Sequence, residues 1–82
     1  MEGSITAKVR DIVGSVLDVN PDGILDTESF SEVCVGFDDL DRIDIILLIE
    51  GEFSVDIDVK VAEKFDNIAQ IVEHLKNIGV EE

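Results

Sequence analysis

One stretch near the middle of the sequence limits the possible folds more than any other. It opens with a glycine and three aspartates, Asp38, Asp39 and Asp41, and the almost unbroken apolar run 43–49 follows. Carboxylates at a helix start accept hydrogen bonds from free backbone N–H groups and complement the positive end of the helix dipole. We therefore predict a helix over residues 39–53, capped by Asp38 or Asp39. Its apolar run is either buried on most sides or kept exposed for a ligand or partner.

The charge of the chain excludes several classes of partner. Six Lys and Arg residues stand against twenty Asp and Glu residues, which gives a net charge of −14. Binding nucleic acid requires basic side chains that neutralise phosphates, and an anionic membrane surface makes the same demand. We therefore expect neither as a partner. Basic patches on other proteins, and weakly bound divalent cations, are the natural complements of this charge.

Length and cysteine content place further limits on the chain. Its 82 residues fit a single domain, residues 1–82, and a hydrophobic content of 45% argues against disorder. Cys34 is the single cysteine, so it has no intramolecular partner, which is typical of a reducing compartment. Residues 1–4 show no basic or apolar signal, and the run 43–49 is far shorter than the ~20 residues that span a bilayer. We expect a monomer in the cytoplasm.

Apolar residues at three- and four-residue steps predict two more long helices. The first helix begins after Ser4 and ends near Asp18, where residues 20–23 have dense turn chemistry. The last is capped by Asp66 or Asn67 and closed by Gly79. The predicted inward stripes are Ile5, Val9, Ile12, Val13, Val16 and Leu17 in the first helix and Ile68, Ile71, Val72, Leu75 and Ile78 in the last.

The two remaining segments are less regular. Residues 58–64 have room for a short helix with Val59 and Ala62 directed inward. Residues 19–37 form a long connection between the first two helices. Its apolar residues, which we expect to pin it onto the bundle, are Ile24, Leu25, Phe30 and Val33.

The order of several short motifs resembles that of acyl carrier proteins over nearly the whole chain. The segment from Asp38 to Leu40 stands where that family has Asp-Ser-Leu, and residues 52–57 match its Glu-Phe-x-x-x-Ile element. Residues 62–64 match its Ala-Glu-Lys segment. The resemblance implies an all-α, antiparallel four-helix bundle with three longer helices, one short helix and a long first loop.

The resemblance also implies a function. A family member presents thioester-bound acyl intermediates to partner enzymes of fatty-acid or polyketide-type biosynthesis, on a 4′-phosphopantetheine arm carried by the serine of Asp-Ser-Leu. In this chain Asp39 takes the serine position, between Asp38 and Leu40. A hydroxyl forms a stable phosphodiester with the arm, whereas a carboxylate would form an acyl phosphate that hydrolyses readily. We therefore expect the cofactor to be absent.

By the same resemblance, the second helix and the segment after it dock onto basic patches of synthase, transferase or ligase enzymes. Arg42 interrupts the acidic series of this helix, which bears on the choice of partner. From the residues alone, the acidic positions equally fit a solvated face and the apolar positions fit the core. The positions that the resemblance assigns to partner binding are Asp41, Ile43, Asp44, Leu47, Glu50, Asp56 and Ile57.

Two other interpretations stay open. One is an interaction module that is never modified. The other is a weak calcium-binding module over residues 18–29, where Asp18, Asn20 and Asp22 alternate as in the opening of an EF-hand loop and Asp26 stands at the ninth position. Position twelve of that loop is Ser29 rather than the usual glutamate, so we expect at most weak cation binding.

The chain offers little for catalysis. His74 is the only histidine, and the one cysteine is far from it in the sequence. Neither a zinc site nor a catalytic triad can be assembled from such a set. We therefore expect that the protein is not an enzyme.

Overall fold

Five helices and one 3₁₀ turn make up the regular structure of residues 4–80, the part of the chain that the computed structural model describes. No strand occurs among these residues, so the predicted all-α helical bundle is confirmed. The expectation about the N-terminal signal rests mainly on residues 1–3, which lie outside the described part, as do residues 81–82. The helices are α1 (Ile5–Leu17), α2 (Phe30–Val33), α3 (Asp39–Phe53), α4 (Val59–Ala62) and α5 (Ile68–Asn77), and the 3₁₀ turn is Pro21–Gly23.

The core lies where α1 packs against both α3 and α5. Each long helix contributes one apolar stripe, and burying an aliphatic side chain of this size contributes roughly 1.5–3 kcal/mol. None of the helices within residues 4–80 combines the length and the apolar content needed to cross a bilayer. The side chains that are almost completely buried include Val9 and Val13 of α1, Ile45 and Ile49 of α3, and Ile71 and Leu75 of α5.

Side chains cap the starts of α1 and α5 as predicted. Ser4 Oγ accepts from the Ala7 N–H at 3.1 Å, and Asn67 Oδ1 accepts from the Gln70 N–H at 2.9 Å. The Gln70 amide oxygen accepts in turn from the backbone of Asp66 at 2.6 Å. Each cap satisfies one of the N–H groups that a helix start leaves without an intrahelical acceptor.

Residues with positive φ end all three long helices. Asp18 after α1 and Ser54 after α3 adopt φ of 58° and 56°. At the end of α5, Gly79 has φ of 102°, and the Val80 N–H donates to the Leu75 carbonyl at 2.9 Å. This is the arrangement in which glycine terminates a helix, because a residue without Cβ adopts positive φ without strain. The predicted stop at Gly79 is therefore confirmed.

The long first loop is held by backbone hydrogen bonds to the residue Asp66 before α5 and to the first turn of α5. The Phe30 N–H donates to the Asp66 carbonyl at 2.7 Å, and the Ala69 N–H donates to the Asp26 carbonyl at 2.9 Å. Phe30 is buried, and its ring lies 5.4 Å from that of Phe37. The loop also contains α2 and the 3₁₀ turn, neither of which the sequence analysis predicted.

Three residues outside α3 that the sequence places in the core are exposed instead: Leu25, Val59 and Ile78. Ile24 is buried in an extended backbone, so the side chain of Leu25 next to it points the opposite way. Val59 opens the one-turn helix α4, which directs Ala62 inward. Ile78 caps α5 after the last helical residue, so the helical spacing of the stripe no longer applies there.

Gly14 allows α1 to contact the 3₁₀ turn closely, and this contact gives the first prediction. A Cβ at Gly14 would lie 2.9 Å from the Val19 carbonyl oxygen and 3.1 Å from the Pro21 ring. We expect Gly14→Ala to lower the free energy of unfolding by about 1–3 kcal/mol, measured by urea denaturation. The control is Gly51→Ala in α3, where a Cβ meets nothing within 4 Å, and a gain of about 0.5–1 kcal/mol is expected. Equal effects of the two substitutions would contradict the packing argument.

Candidate functional site

The start of α3 is closed by two aspartates that cap each other's backbone. Asp38 Oδ1 accepts from the Asp41 N–H at 3.1 Å, and Asp41 Oδ2 accepts from the Asp38 N–H at 3.2 Å. Asp38 is therefore the cap of the helix. The alternative cap, Asp39, is wrong: it is the first helical residue, and its side chain is 90% exposed.

Arg42 joins the start of α3 to the segment between α4 and α5. Its Nη1 lies 2.6 Å from Asp39 Oδ1, its Nη2 lies 3.1 Å from Asp66 Oδ1, and its Nε–H donates to the Phe65 carbonyl at 2.9 Å. The guanidinium also lies 5.1 Å from the centre of the Phe37 ring. We call this set of contacts the Arg42 clamp. With only 16% of its side chain exposed, Arg42 is a largely buried charge that connects separate elements.

Sequence reasoning missed the Arg42 clamp, although one part of it has a local signal. Asp39 and Arg42 are three residues apart, which is the spacing at which opposite charges meet on a helix. The contacts to Phe65 and Asp66 span more than twenty residues, and no local pattern predicts them.

The apolar run of α3 is divided between two sides of the helix. Ile45, Ile46 and Ile49 are buried, while the remaining apolar residues face outward. The interpretation that places Leu40, Ile43 and Leu47 in the core is therefore wrong. The structure has the other predicted outcome, in which the helix keeps an apolar face exposed. Leu40, Ile43 and Leu47 follow one another at three- and four-residue steps, and Leu48 lies next to Leu47. The exposed Asp44 lies among them. We call these four exposed apolar residues the outer stripe: Leu40, Ile43, Leu47 and Leu48.

A groove of about 570 Å³ runs between α3 and α4, beginning beside Asp39. Ile57, which is buried, contributes to its wall, and the exposed Val59 contributes to its edge. The groove therefore combines an apolar lining with polar groups near its mouth. Its apolar residues are Ile43, Ile46, Leu47, Ile57, Val59 and Ala62, and its polar residues are Asp39, Arg42, Glu50 and Glu63.

The acidic residues assigned to partner binding are not equivalent. Asp44 and Asp56 are exposed, and neither makes a side-chain hydrogen bond or ion pair within residues 4–80. Asp41 is half-buried and caps the helix. Glu50 turns toward the chain after α3, where its Oε2 accepts from the Ile57 N–H at 2.7 Å. Glu50 therefore fixes the position of Ile57 in the groove wall.

Two of the four candidate cation ligands of the first loop, Asn20 and Asp26, use their side chains for other contacts. Asp18 ends α1 with positive φ, and Asn20 Oδ1 accepts from the Asp22 N–H at 3.0 Å. Asp26 forms an ion pair with Arg10. No group of three or more His, Cys, Asp or Glu side chains within residues 4–80 is arranged to hold a metal ion. The geometry of the loop therefore lends no support to the calcium interpretation.

Comparison with known proteins identifies the family. The family model described as "Phosphopantetheine attachment site" matches residues 7–75. Acyl carrier proteins of Chlorobium phaeobacteroides and Chlorobium phaeovibrioides are each 36% identical over 74 residues, which cover 90% of this chain and 94% of the relative. This chain belongs to the phosphopantetheine-binding acyl carrier family. The resemblance found in the sequence motifs is thereby confirmed.

Asp39, which the sequence motifs predict to stand at the attachment position of the carrier family, is the first residue of α3. The Asp39 carboxylate does not supply the hydroxyl that the attachment uses, so the residue at this position does not fit the cofactor. The nearest serines before it, Ser29 and Ser31, lie at α2, where their hydroxyls are 3.3 Å apart. The groove beside Asp39, in contrast, keeps an apolar lining next to the attachment position.

The contact between Glu50 and Ile57 gives a second prediction. We expect Glu50→Ala to lower the free energy of unfolding by about 1–3 kcal/mol, because a partly buried N–H loses its acceptor. Glu50→Gln keeps an acceptor oxygen and should lose less. The control, Asp44→Ala, removes an exposed acid of the same helix and should change stability by less than about 0.5 kcal/mol. Equal midpoint shifts for Glu50→Ala and Asp44→Ala in urea unfolding would refute a structural role for Glu50.

Proposed function

We propose that this member of the acyl carrier family is a docking module that biosynthetic enzymes recognise through α3, and that Asp39 prevents it from carrying the phosphopantetheine arm. The observation that supports the proposal best is the outer stripe. A helix that leaves four large aliphatic side chains exposed on one side loses the free energy of burying them, and such a surface is typical of an interaction site.

The chemistry at residue 39 supports the second half of the proposal. Attachment of the arm joins a serine Oγ to the β-phosphorus of coenzyme A, releases the hydroxyl proton and expels adenosine bisphosphate. The product is a phosphodiester, which is stable in water. The same displacement by the Asp39 carboxylate would give a mixed anhydride, which water cleaves readily. The present sequence therefore has the surface of a carrier without a durable attachment point.

Charge and shape together define the expected partner surface. Asp44 lies within the outer stripe, Asp56 is exposed after α3, and the whole chain carries a net charge of −14. A negative surface of this kind accelerates encounter with a basic patch, and the apolar side chains then supply the contact area. We assign Asp41, Ile43 and Leu47 to the same partner surface, whereas Glu50 and Ile57 act mainly by shaping the groove beside it.

The groove between α3 and α4 suits an apolar chain. Its volume of about 570 Å³ lies within the usual range of small-molecule sites, roughly 300–1,000 Å³. In a carrier that bears an arm, this lining would hold part of the acyl cargo. In the present chain no arm delivers such cargo, so we assign the docking surface the main role. We propose no catalytic activity, and we place the protein in a reducing compartment such as the cytoplasm, as a monomer.

Restoring the serine tests whether the carrier surface is intact. We expect Asp39→Ser to gain the phosphopantetheine mass when incubated with coenzyme A and a promiscuous phosphopantetheinyl transferase, as read by intact mass spectrometry. The chain with Asp39 should stay unmodified. Asp38→Ser is the matched control, because it places a serine one residue earlier at the same helix start and should also stay unmodified.

Two results would overturn parts of this proposal. Modification of the unaltered chain would show that Asp39 is no block. Failure of Asp39→Ser to accept the arm would show that the transferase does not recognise α3. The chain would then share only the fold of the family. A module that binds partners without ever being modified would become the better interpretation.

The outer stripe can be tested on the same reaction. In the Asp39→Ser background, we expect Leu47→Ala to lower the transferase kcat/KM about tenfold, since truncating an anchoring side chain at an interface costs more than about 1 kcal/mol. Leu25→Ala is the control: Leu25 is 68% exposed and Leu47 is 59% exposed, but Leu25 lies in the first loop. Equal effects of the two substitutions would refute docking through the outer stripe.

A further inference from the structure

The burial of Arg42 is the feature that the docking function leaves unexplained. The chain has only six basic residues against twenty acidic ones, and it directs one of its two arginines away from solvent. A basic residue on a docking surface for basic patches would weaken docking. Arg42 avoids this by pointing toward Phe65 and Asp66 instead of outward.

The contacts of Arg42 connect residue 39 to the groove. Asp39 and Arg42 both line the groove, and Phe65 and Asp66 follow the end of α4, which forms its other side. The backbone of this segment is held from within the fold, because the Asp66 carbonyl accepts the Phe30 N–H at 2.7 Å. The Asp66 side chain is 63% exposed and the Asp39 side chain is 90% exposed, so Asp39 is the anionic partner of Arg42 that packing restrains least.

We propose that Arg42 is the built-in counter-ion of the anionic group carried by residue 39. In this chain that group is the Asp39 carboxylate, and in an Asp39→Ser chain that has received the arm it is the phosphodiester. The second half of this proposal rests on the proposed function, because it takes residue 39 as the position at which a restored serine would receive the arm. The first half rests on the Arg42 clamp alone.

The chemistry of the guanidinium supports such an exchange. Guanidinium presents its N–H donors in a planar fork that matches carboxylate and phosphate equally well, and hydrogen bonds between charged groups are stronger than neutral ones. Both anions are attached through the side chain of the same first helical residue. The phosphodiester oxygens lie one bond further from the backbone than the aspartate oxygens, which is within the freedom of a long arginine side chain.

It follows that Asp39 is more than a lost attachment residue. Its carboxylate supplies the negative charge that an arm would bring to Arg42. The unmodified chain therefore gives Arg42 the same number of anionic partners as a chain that bears the arm. A neutral serine at residue 39 without an arm would leave Arg42 with one anionic partner fewer. The charge at residue 39 would then control how firmly the segment of Phe65 and Asp66 is held beside the groove.

NMR tests both halves of the proposal on the full chain. The first measurement is the exchange of the Arg42 Nε–H with water, since this N–H donates to the Phe65 carbonyl. We expect Asp39→Ser without the arm to exchange at least threefold faster than the unaltered chain, and attachment of the arm to restore the slower rate. Asp44→Ser is the control: it makes the same chemical change at an exposed acid of α3 outside the clamp, and it should leave the rate unchanged.

The second measurement is the phosphorus chemical shift of the attached arm. In the Asp39→Ser background, Arg42→Gln should move this signal, because the phosphodiester loses its counter-ion. Arg42→Lys, which keeps the charge but loses the planar fork, should move it less. Circular dichroism checks that each variant is folded, and Arg42→Lys carries the test if Arg42→Gln is not.

The outcomes separate this proposal from the proposed function. If the arm attaches but does not slow the Nε–H exchange, and substitution of Arg42 does not move the phosphorus signal, the counter-ion role is overturned, while residue 39 is still the attachment position. If the arm does not attach to Asp39→Ser, the recognition of α3 by the transferase is overturned. In that case the comparison of the unaltered chain with Asp39→Ser, both without the arm, still tests whether Arg42 is the counter-ion of the Asp39 carboxylate. Equal rates of Nε–H exchange in the two chains would overturn that role.

Discussion

The packing of α3 against α1 is the interaction on which the rest of the structure depends. Ile45 and Ile49 are almost completely buried, and α1 in turn contacts α5. Because consecutive residues of a helix point in different directions, burying these side chains turns the rest of the apolar run toward solvent. The outer stripe is thus a direct consequence of how α3 packs. These side chains contribute no burial free energy to the isolated fold, and a partner that covers them would gain it, which links the packing of the bundle to the proposed docking.

Much of the fold could be predicted from local pattern, and the failures have physical causes. The three long helices and the caps at Ser4, Asn67 and Gly79 depend on residues within a few positions of one another, so their signals lie in the sequence itself. The single turn of α2 is too short for a periodic stripe to form. The sequence contains one signal for α2, because Ser29 and Glu32 have the spacing of a capping box. The Glu32 carboxylate accepts from the Ser29 N–H at 3.2 Å.

The site was predicted less completely than the fold, because its contacts join distant parts of the chain. The family motif predicts residue 39 as the attachment position, but the long-range partners of Arg42 lie more than twenty residues beyond it. The resemblance assigns Glu50 to partner binding, but a motif does not distinguish an outward carboxylate from one that accepts the Ile57 N–H. The resemblance also assigns acidic residues of α3 to docking, whereas the outer stripe is mainly aliphatic with Asp44 within it.

Three of the basic residues form ion pairs within the bundle and leave the proposed docking surface negative. Lys8 pairs with Glu52 at 3.5 Å between α1 and α3, Arg10 pairs with Asp26 in the first loop, and Arg42 holds the segment after α4. Each of these three cations forms an ion pair between two different elements of the fold, and Arg42 lies between two carboxylates, those of Asp39 and Asp66. The pair of Lys8 is well exposed and contributes little, whereas Arg42 is largely buried and makes three hydrogen bonds. Because Arg42 is directed inward, it does not cancel the charge of Asp44 and Asp56, and a basic partner still meets a negative surface around the outer stripe.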